Sequence, residues 1–204
     1  MMILQWIFFI TFGFGFGGIL FSYHLPLILK KTDVTECNDD HNPGAANAVK
    51  SAGWGVGLLC LFCDLAKGFL PVFLSFRYLD PENLLFSLVM FAPVLGHAAA
   101  PFYKIGGGKA IATTFGVLCA LIPHSYIVLI LAFWYIFFSV VIKINPTTRR
   151  SILTFSFFSI SVLVAVLLTG KLSFTLGCLL ISATVIRKHV RMVRVKEAAA
   201  VRVK

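Results

Sequence analysis

Residues 54–76 read WGVGLLCLFCDLAKGFLPVFLSF, 23 positions in which only Asp64 and Lys67 carry charge. A bilayer's hydrocarbon core needs about 20 apolar residues of α-helix, each adding 1.5 Å, so the run is long enough to cross it. In lipid, backbone amides and carbonyls must be paired within the segment, and a single run of this length does that only as a helix. Asp64 and Lys67 stand three apart, so they share a helix face and can pair, which lowers the cost of burying either. Such a pair is either part of a functional site or a clasp docking this helix on its neighbours, and the one-turn spacing favours the clasp.

Six further apolar segments lie outward from this run: Ile3–Leu29, Leu84–Phe102, Ala110–Leu121, Ser125–Ile142, Ile152–Leu168 and Leu172–Ile186. The expected fold is an all-α integral membrane protein of about seven transmembrane helices, a single polytopic domain over residues 1–204. Ala110–Leu121 is short for a span, and Pro123 makes it either a half-span or a bent continuation of the next segment. The N-terminal run lacks the basic start and small-residue cleavage site of a removable signal peptide. The chain is 59% hydrophobic and 13% charged, with mean hydropathy +0.93. A soluble domain has nearly twice that share of charge. Chemistry is therefore expected on short loops and helix ends.

Charge placement sets the expected orientation. With the N-terminus outside, the inner loops and the C-terminal tail collect 15 of the 18 Lys and Arg residues. Arg77 and Lys171 fall outside, and Lys67 lies within the second segment. That asymmetry predicts a cytoplasmic C-terminus. It also assigns the net charge of +10 to topology and anionic headgroups. Nucleic-acid binding is not expected, because no aromatic-and-basic motif or zinc spacing accompanies the charge. Cys60, Cys63, Cys119 and Cys178 lie in apolar runs and read as packing residues, while Cys37 has no ligand spacing near it. No metal or cofactor is expected.

Two inner loops carry possible chemistry. The first holds His41-Asn42-Pro43-Gly44-Ala45-Ala46-Asn47-Ala48 and then Lys50. Asn-Pro-Gly marks a turn, and small residues let backbone amides approach an oxyanion, with Asn47 and Lys50 adding donors and charge. The loop is thus either a connector or an anion site. The second begins at Gly96-His97 and continues Lys104-Ile105-Gly106-Gly107-Gly108-Lys109-Ala110. Glycines ending in Lys and opening a helix make an anion cradle, although the spacing is not that of a Walker A loop. His97 is a general base, a donor to phosphate, or a helix-packing histidine.

In order and spacing these pieces resemble the acyl-phosphate:glycerol-3-phosphate acyltransferases of bacterial membranes, the PlsY-type family. Gly17-Gly18-Ile19 is similar to the family's first-helix glycines. Asn42-Pro43-Gly44-Ala45 with Asn47 resembles its first motif, and Asp64-Leu65-Ala66-Lys67-Gly68 with Pro71 its second helix. Gly96-His97, Gly107-Gly108-Lys109 and Ala112-Thr113 resemble its second motif. The resemblance implies a seven-helix bundle in the bacterial inner membrane with its site at the cytoplasmic face. It implies acyl transfer from acyl phosphate to glycerol 3-phosphate, giving lysophosphatidic acid in phospholipid biosynthesis, with membrane lipids as surroundings. His97 and Lys109 are the catalytic candidates. Asn42, Gly44, Asn47, Lys50, Gly107, Gly108 and Lys109 are the candidates for substrate phosphate.

The chain also departs from the family pattern. Asp40 and His41 stand where the first motif has Ser-Gly, and Lys50 stands for an Arg, which keeps charge without the bidentate fork. The third motif, His-Arg-x-Asn followed by Glu, is represented by Ile186-Arg187-Lys188-His189-Val190-Arg191, basic but without the Asn. Two other readings are a non-catalytic lipid-binding relative and a small transporter. The inverted repeats of transporters are not evident. The His and Asp five apart of acyl-CoA acyltransferases are missing too, because His24, His41, His97, His124 and His189 are followed at that offset by Leu29, Ala46, Phe102, Leu129 and Arg194.

Overall fold

The computed structural model describes residues 2–38, 41–122 and 124–202, with side chains described through residue 193 except that of Met192. Asp40 and Pro123, both singled out above, lie outside the described residues. Among the described residues every regular element is helical: α1 (Met2–Gly17), α2 (Phe21–Lys30), α3 (Ala45–Ala52), α4 (Trp54–Ser75), α5 (Phe86–Ala99), α6 (Ile111–Ala120), α7 (Ile127–Ile136), α8 (Thr147–Thr169) and α9 (Leu172–Arg202). A π-helical turn, Phe137–Val141, continues α7. α4 and α8 are each long and apolar enough to cross a membrane, and α1 and α2 are so only when taken together as a bent pair. α5, α6 and α7 are shorter apolar helices.

The surface is apolar and the interior holds the polar groups. Leu167, Leu168 and Phe62 are 83%, 85% and 69% exposed, while Ser22, Asp64, Lys67, His97, Thr113, Thr114, Thr154 and Ser182 are buried. Apolar side chains facing outward over several helices are what lipid requires and water disfavours. The main core joins α1, the second half of α4 and α5 to α9 around Phe86, Met90, Phe155, Phe158, Phe174 and Ile181. A smaller core of Val34, Ala48, Val56 and Cys60 holds α3 and the loop before it against the first half of α4.

Two features differ from the sequence reading. The run Ile3–Leu29 is not one helix: it breaks between Gly17 and Phe21, with a 40° bend. Neighbouring chain comes close at the break: a Cβ at Gly17 would overlap the backbone of Pro93, and one at Gly18 would crowd Pro101 and Phe102. The first inner loop is not wholly irregular either. Ala45–Ala52, AANAVKSA, forms α3, as its alanine content favours.

Helix backbones also meet at α4 and α6. A Cβ at Gly68 would run into the carbonyl of Thr113, and one at Gly116 into the carbonyl of Leu65. Small residues at such a crossing let two helices pack in lipid, where no hydrophobic force draws them together. Gly68→Leu is therefore expected to cost about 1–3 kcal/mol or more through overpacking. Melting of the detergent-extracted protein measures it. Gly55→Leu, at a position beside open space, is the control, and equal melting of the two variants would rule out a tight crossing.

Candidate functional site

The site grows from the break in the first span. A helix end exposes carbonyls and amides that need partners, above all in an apolar interior. Lys67 donates from Nζ to the carbonyl of Ile19 at 2.6 Å, and the amide of Leu20 donates to the Tyr103 hydroxyl at 3.3 Å. Tyr103 is fixed in turn by the His24 ring, 2.7 Å away. Lys67 pairs with Asp64 at 2.8 Å, and the second oxygen of Asp64 accepts from Ser22 Oγ at 2.5 Å. The two charges expected to clasp thus do so, and what they clasp is the α1–α2 break.

His97 stands beside this break. It lies in the last turn of α5, 3% exposed. Gly96, before it, touches α1 so closely that a Cβ there would meet the Phe14 carbonyl and the Gly18 amide. Helix α5 ends at Ala100, whose left-handed φ of 49° turns the chain away. The glycine loop then folds back. A Cβ at Gly107 would meet the carbonyls of His97 and Ala98, and one at Gly108 would overlap Nε2 of His97. Gly106, in contrast, has open space around it. Of the three consecutive glycines, two press on the His97 turn.

The His97 ring keeps Nδ1 buried and without a hydrogen-bond partner among the described residues. Two ammonium groups, of Lys67 and Lys188, lie near enough to act electrostatically on the ring. Lys109, half-buried, is two residues before α6, and Ala110 at the helix entry takes φ 61°. The cradle therefore does open a helix, by way of a left-handed residue. Thr113 in the first turn is fully buried, with Oγ1 unpartnered among the described residues.

The first loop packs through α3 on the first half of α4. Val49 lies against Gly57, so α3 packs closely on the start of α4 across Gly53, whose φ is 88°. Asn42 and Asn47 are both buried, and Asn47 Nδ2 donates to the Asn42 carbonyl at 2.9 Å. Lys50, at the other end of α3, is exposed. His41 turns back on its own loop, its Nδ1 2.6 Å from the Thr35 carbonyl. Asp33 anchors the loop's start. Burial pushes its carboxyl up, but hydrogen bonds from the Thr35 hydroxyl and amide, the Glu36 amide and the Tyr23 hydroxyl prevail and hold it below the usual range.

Ser22 and Tyr103 are not distinguished by the sequence, and Lys188 only as part of the basic stretch that stands for the third motif. Lys188 Nζ donates to the Ala98 carbonyl at 2.8 Å, bringing α9 onto the His97 turn. All five cysteines are free, and no cluster of three His, Cys, Asp or Glu able to hold a metal forms among the described residues.

Comparison with known proteins gives this arrangement its family. Glycerol-3-phosphate acyltransferase 2 of Thermotoga maritima is 39% identical over 118 residues, 58% of this chain and 59% of that protein. The glycerol-3-phosphate acyltransferase of Maridesulfovibrio salexigens is 37% identical over 121 residues, 59% of this chain and 60% of that one. The chain thus spans about three fifths of the length of the curated relatives it matches. The fold is similar to the crystal structure of PlsY, an integral membrane glycerol 3-phosphate acyltransferase, in its glycerol 3-phosphate form, with TM-score 0.77, 22% identity, and coverage of 95% of this chain and 92% of that one. The lysophosphatidic acid form gives TM-score 0.73 and 24% identity at the same coverage. The profile of the glycerol-3-phosphate acyltransferase family matches residues 7–196. That stretch takes in the helix break, α3, the His97 turn and its glycine loop, so this chain belongs to the glycerol-3-phosphate acyltransferase family.

Proposed function

We propose that this protein transfers a fatty acyl group from acyl phosphate to the 1-hydroxyl of glycerol 3-phosphate, giving lysophosphatidic acid and phosphate. The observation that carries the reading is the family match from residue 7 to residue 196. The chemistry of the site suits it. The acceptor's hydroxyl oxygen attacks the acyl carbonyl carbon, the carbon–oxygen bond to phosphate breaks, and phosphate leaves with the electron pair. The hydroxyl proton goes to the departing phosphate or to His97. Both substrates carry phosphate, so catalysis is largely positioning and charge compensation. Lys109, the Gly107 and Gly108 amides and the His97 ring serve one phosphate. Asn42, Gly44 and Asn47 at the α3 N-terminus, with Lys50, serve the other. Counting α1–α2 as one bent span with α4 to α9 gives seven spans, the N-terminus outside and the site and C-terminus on the cytoplasmic side of a bacterial inner membrane.

Phosphate release from palmitoyl phosphate, with and without glycerol 3-phosphate, tests this in the purified detergent-extracted protein. Release that needs the acceptor, yields lysophosphatidic acid and falls about 100-fold or more in Lys109→Ala is the expected result, the usual scale for removing one charge-stabilising donor. No turnover would leave a non-catalytic lipid-binding relative, and turnover unchanged in Lys109→Ala would move the phosphate elsewhere.

A further inference from the structure

The third motif of this chain lacks its Asn, yet its helix reaches the site. Lys188 is half-buried on α9 and sends Nζ to the Ala98 carbonyl, 90 residues away in sequence. Gly107 presses on that same carbonyl, so the ammonium stands where α5, α9 and the glycine loop converge. An ammonium has three protons, and the Ala98 bond uses one. Lys188 also differs from the other cation near His97. Lys67 is neutralised by Asp64 at 2.8 Å, whereas no carboxylate among the described residues pairs with Lys188, and Arg191 one turn on adds like charge. The buried Nδ1 of His97, without a hydrogen-bond partner among the described residues, lies within electrostatic reach of this ammonium.

We propose that Lys188 is a phosphate-binding residue. Its two remaining protons and the His97 ring close the side of the glycine cradle that faces α9, and the ligand is a phosphate monoester or inorganic phosphate. The Ala98 bond holds the ammonium ready, so little side-chain freedom is lost on binding. The inference rests on the phosphate chemistry proposed above but not on acyl transfer.

Lys188→Gln tests it, because the amide keeps a donor for Ala98 and removes the charge. The melting midpoint of the full chain in detergent is followed against inorganic phosphate at constant ionic strength. Lys188→Gln is expected to raise the half-saturating phosphate about tenfold or more, the scale of one charge-assisted hydrogen bond, with the phosphate-free midpoint unchanged. Lys188→Arg retains the response, and Arg187→Gln, at an exposed neighbour, binds phosphate as the parent does. A parent that ignores phosphate, a Gln variant that binds like the parent, or equal damage from Arg187→Gln would each overturn the proposal. If Lys188→Gln does not survive extraction, Lys188→Arg decides, and loss of its response overturns it. Binding through Lys188 without acyl turnover would sink the acyltransferase reading and keep this one. Turnover with parental KM for glycerol 3-phosphate in Lys188→Gln does the reverse.

Discussion

Gly108→Ala is expected to lower the proposed acyl transfer about 100-fold, while Gly106→Ala, two residues earlier, is expected to turn over as the parent does. The added methyl at Gly108 overlaps Nε2 of His97, and His97 is 3% exposed, so the ring's escape is a small tilt within the site. Gly108 does not occupy a left-handed conformation, so alanine is acceptable to the backbone and the damage comes from contact alone. At Gly106 the same methyl meets open space. A displacement of about 1 Å at a group that orients substrate costs on the order of 100-fold in rate. Initial rates with palmitoyl phosphate and glycerol 3-phosphate, at matched extraction yield and melting midpoint, make the measurement. Equal rates in the two variants would count against a role for His97 in the reaction, because the Gly108 methyl meets that ring and the Gly106 methyl does not.

The same glycines show where sequence reading stops. Gly106-Gly107-Gly108 is a uniform run, and nothing in it says that the last two meet the His97 turn while the first stands free. The apolar runs were legible because lipid imposes their length, and the Asp64–Lys67 pair was legible because a one-turn spacing is a local property. The break after Gly17 was not. Hydropathy continues unbroken from Ile3 to Leu29, and the partners that make a break tolerable are Pro93, Lys67 and Tyr103, all distant in sequence. Helix α3 was hidden by the polar composition of its loop, although AANAVKSA has the propensity for it. Lys188 was legible only as one basic residue of the stretch that stands for the third motif, where charge alone does not separate a side chain that reaches the site from one that rests on headgroups.

The second large effect is expected at the clasp. Lys67→Met is expected to cost about 3–5 kcal/mol, the scale for removing one partner of a buried ion pair. Asp64 is 2% exposed and would keep only the Ser22 hydroxyl, and the Ile19 carbonyl would lose its donor. Asp64→Leu is expected to cost as much by stranding Lys67, which is fully buried. The double variant, Asp64→Leu with Lys67→Met, removes both charges and leaves apolar side chains of similar volume, so it should be more stable than either single variant. Unfolding of the extracted protein by increasing denaturing detergent gives the three values. Costs that simply add would mean that the two charges are independent, despite their 2.8 Å separation. A strongly non-additive cycle makes the pair one unit. Because that unit fixes the backbone at Ile19, next to the Gly18–Gly96 contact that seats His97, the single variants should lose turnover along with stability. The double variant should regain stability without regaining turnover, since neither new side chain donates to the Ile19 carbonyl.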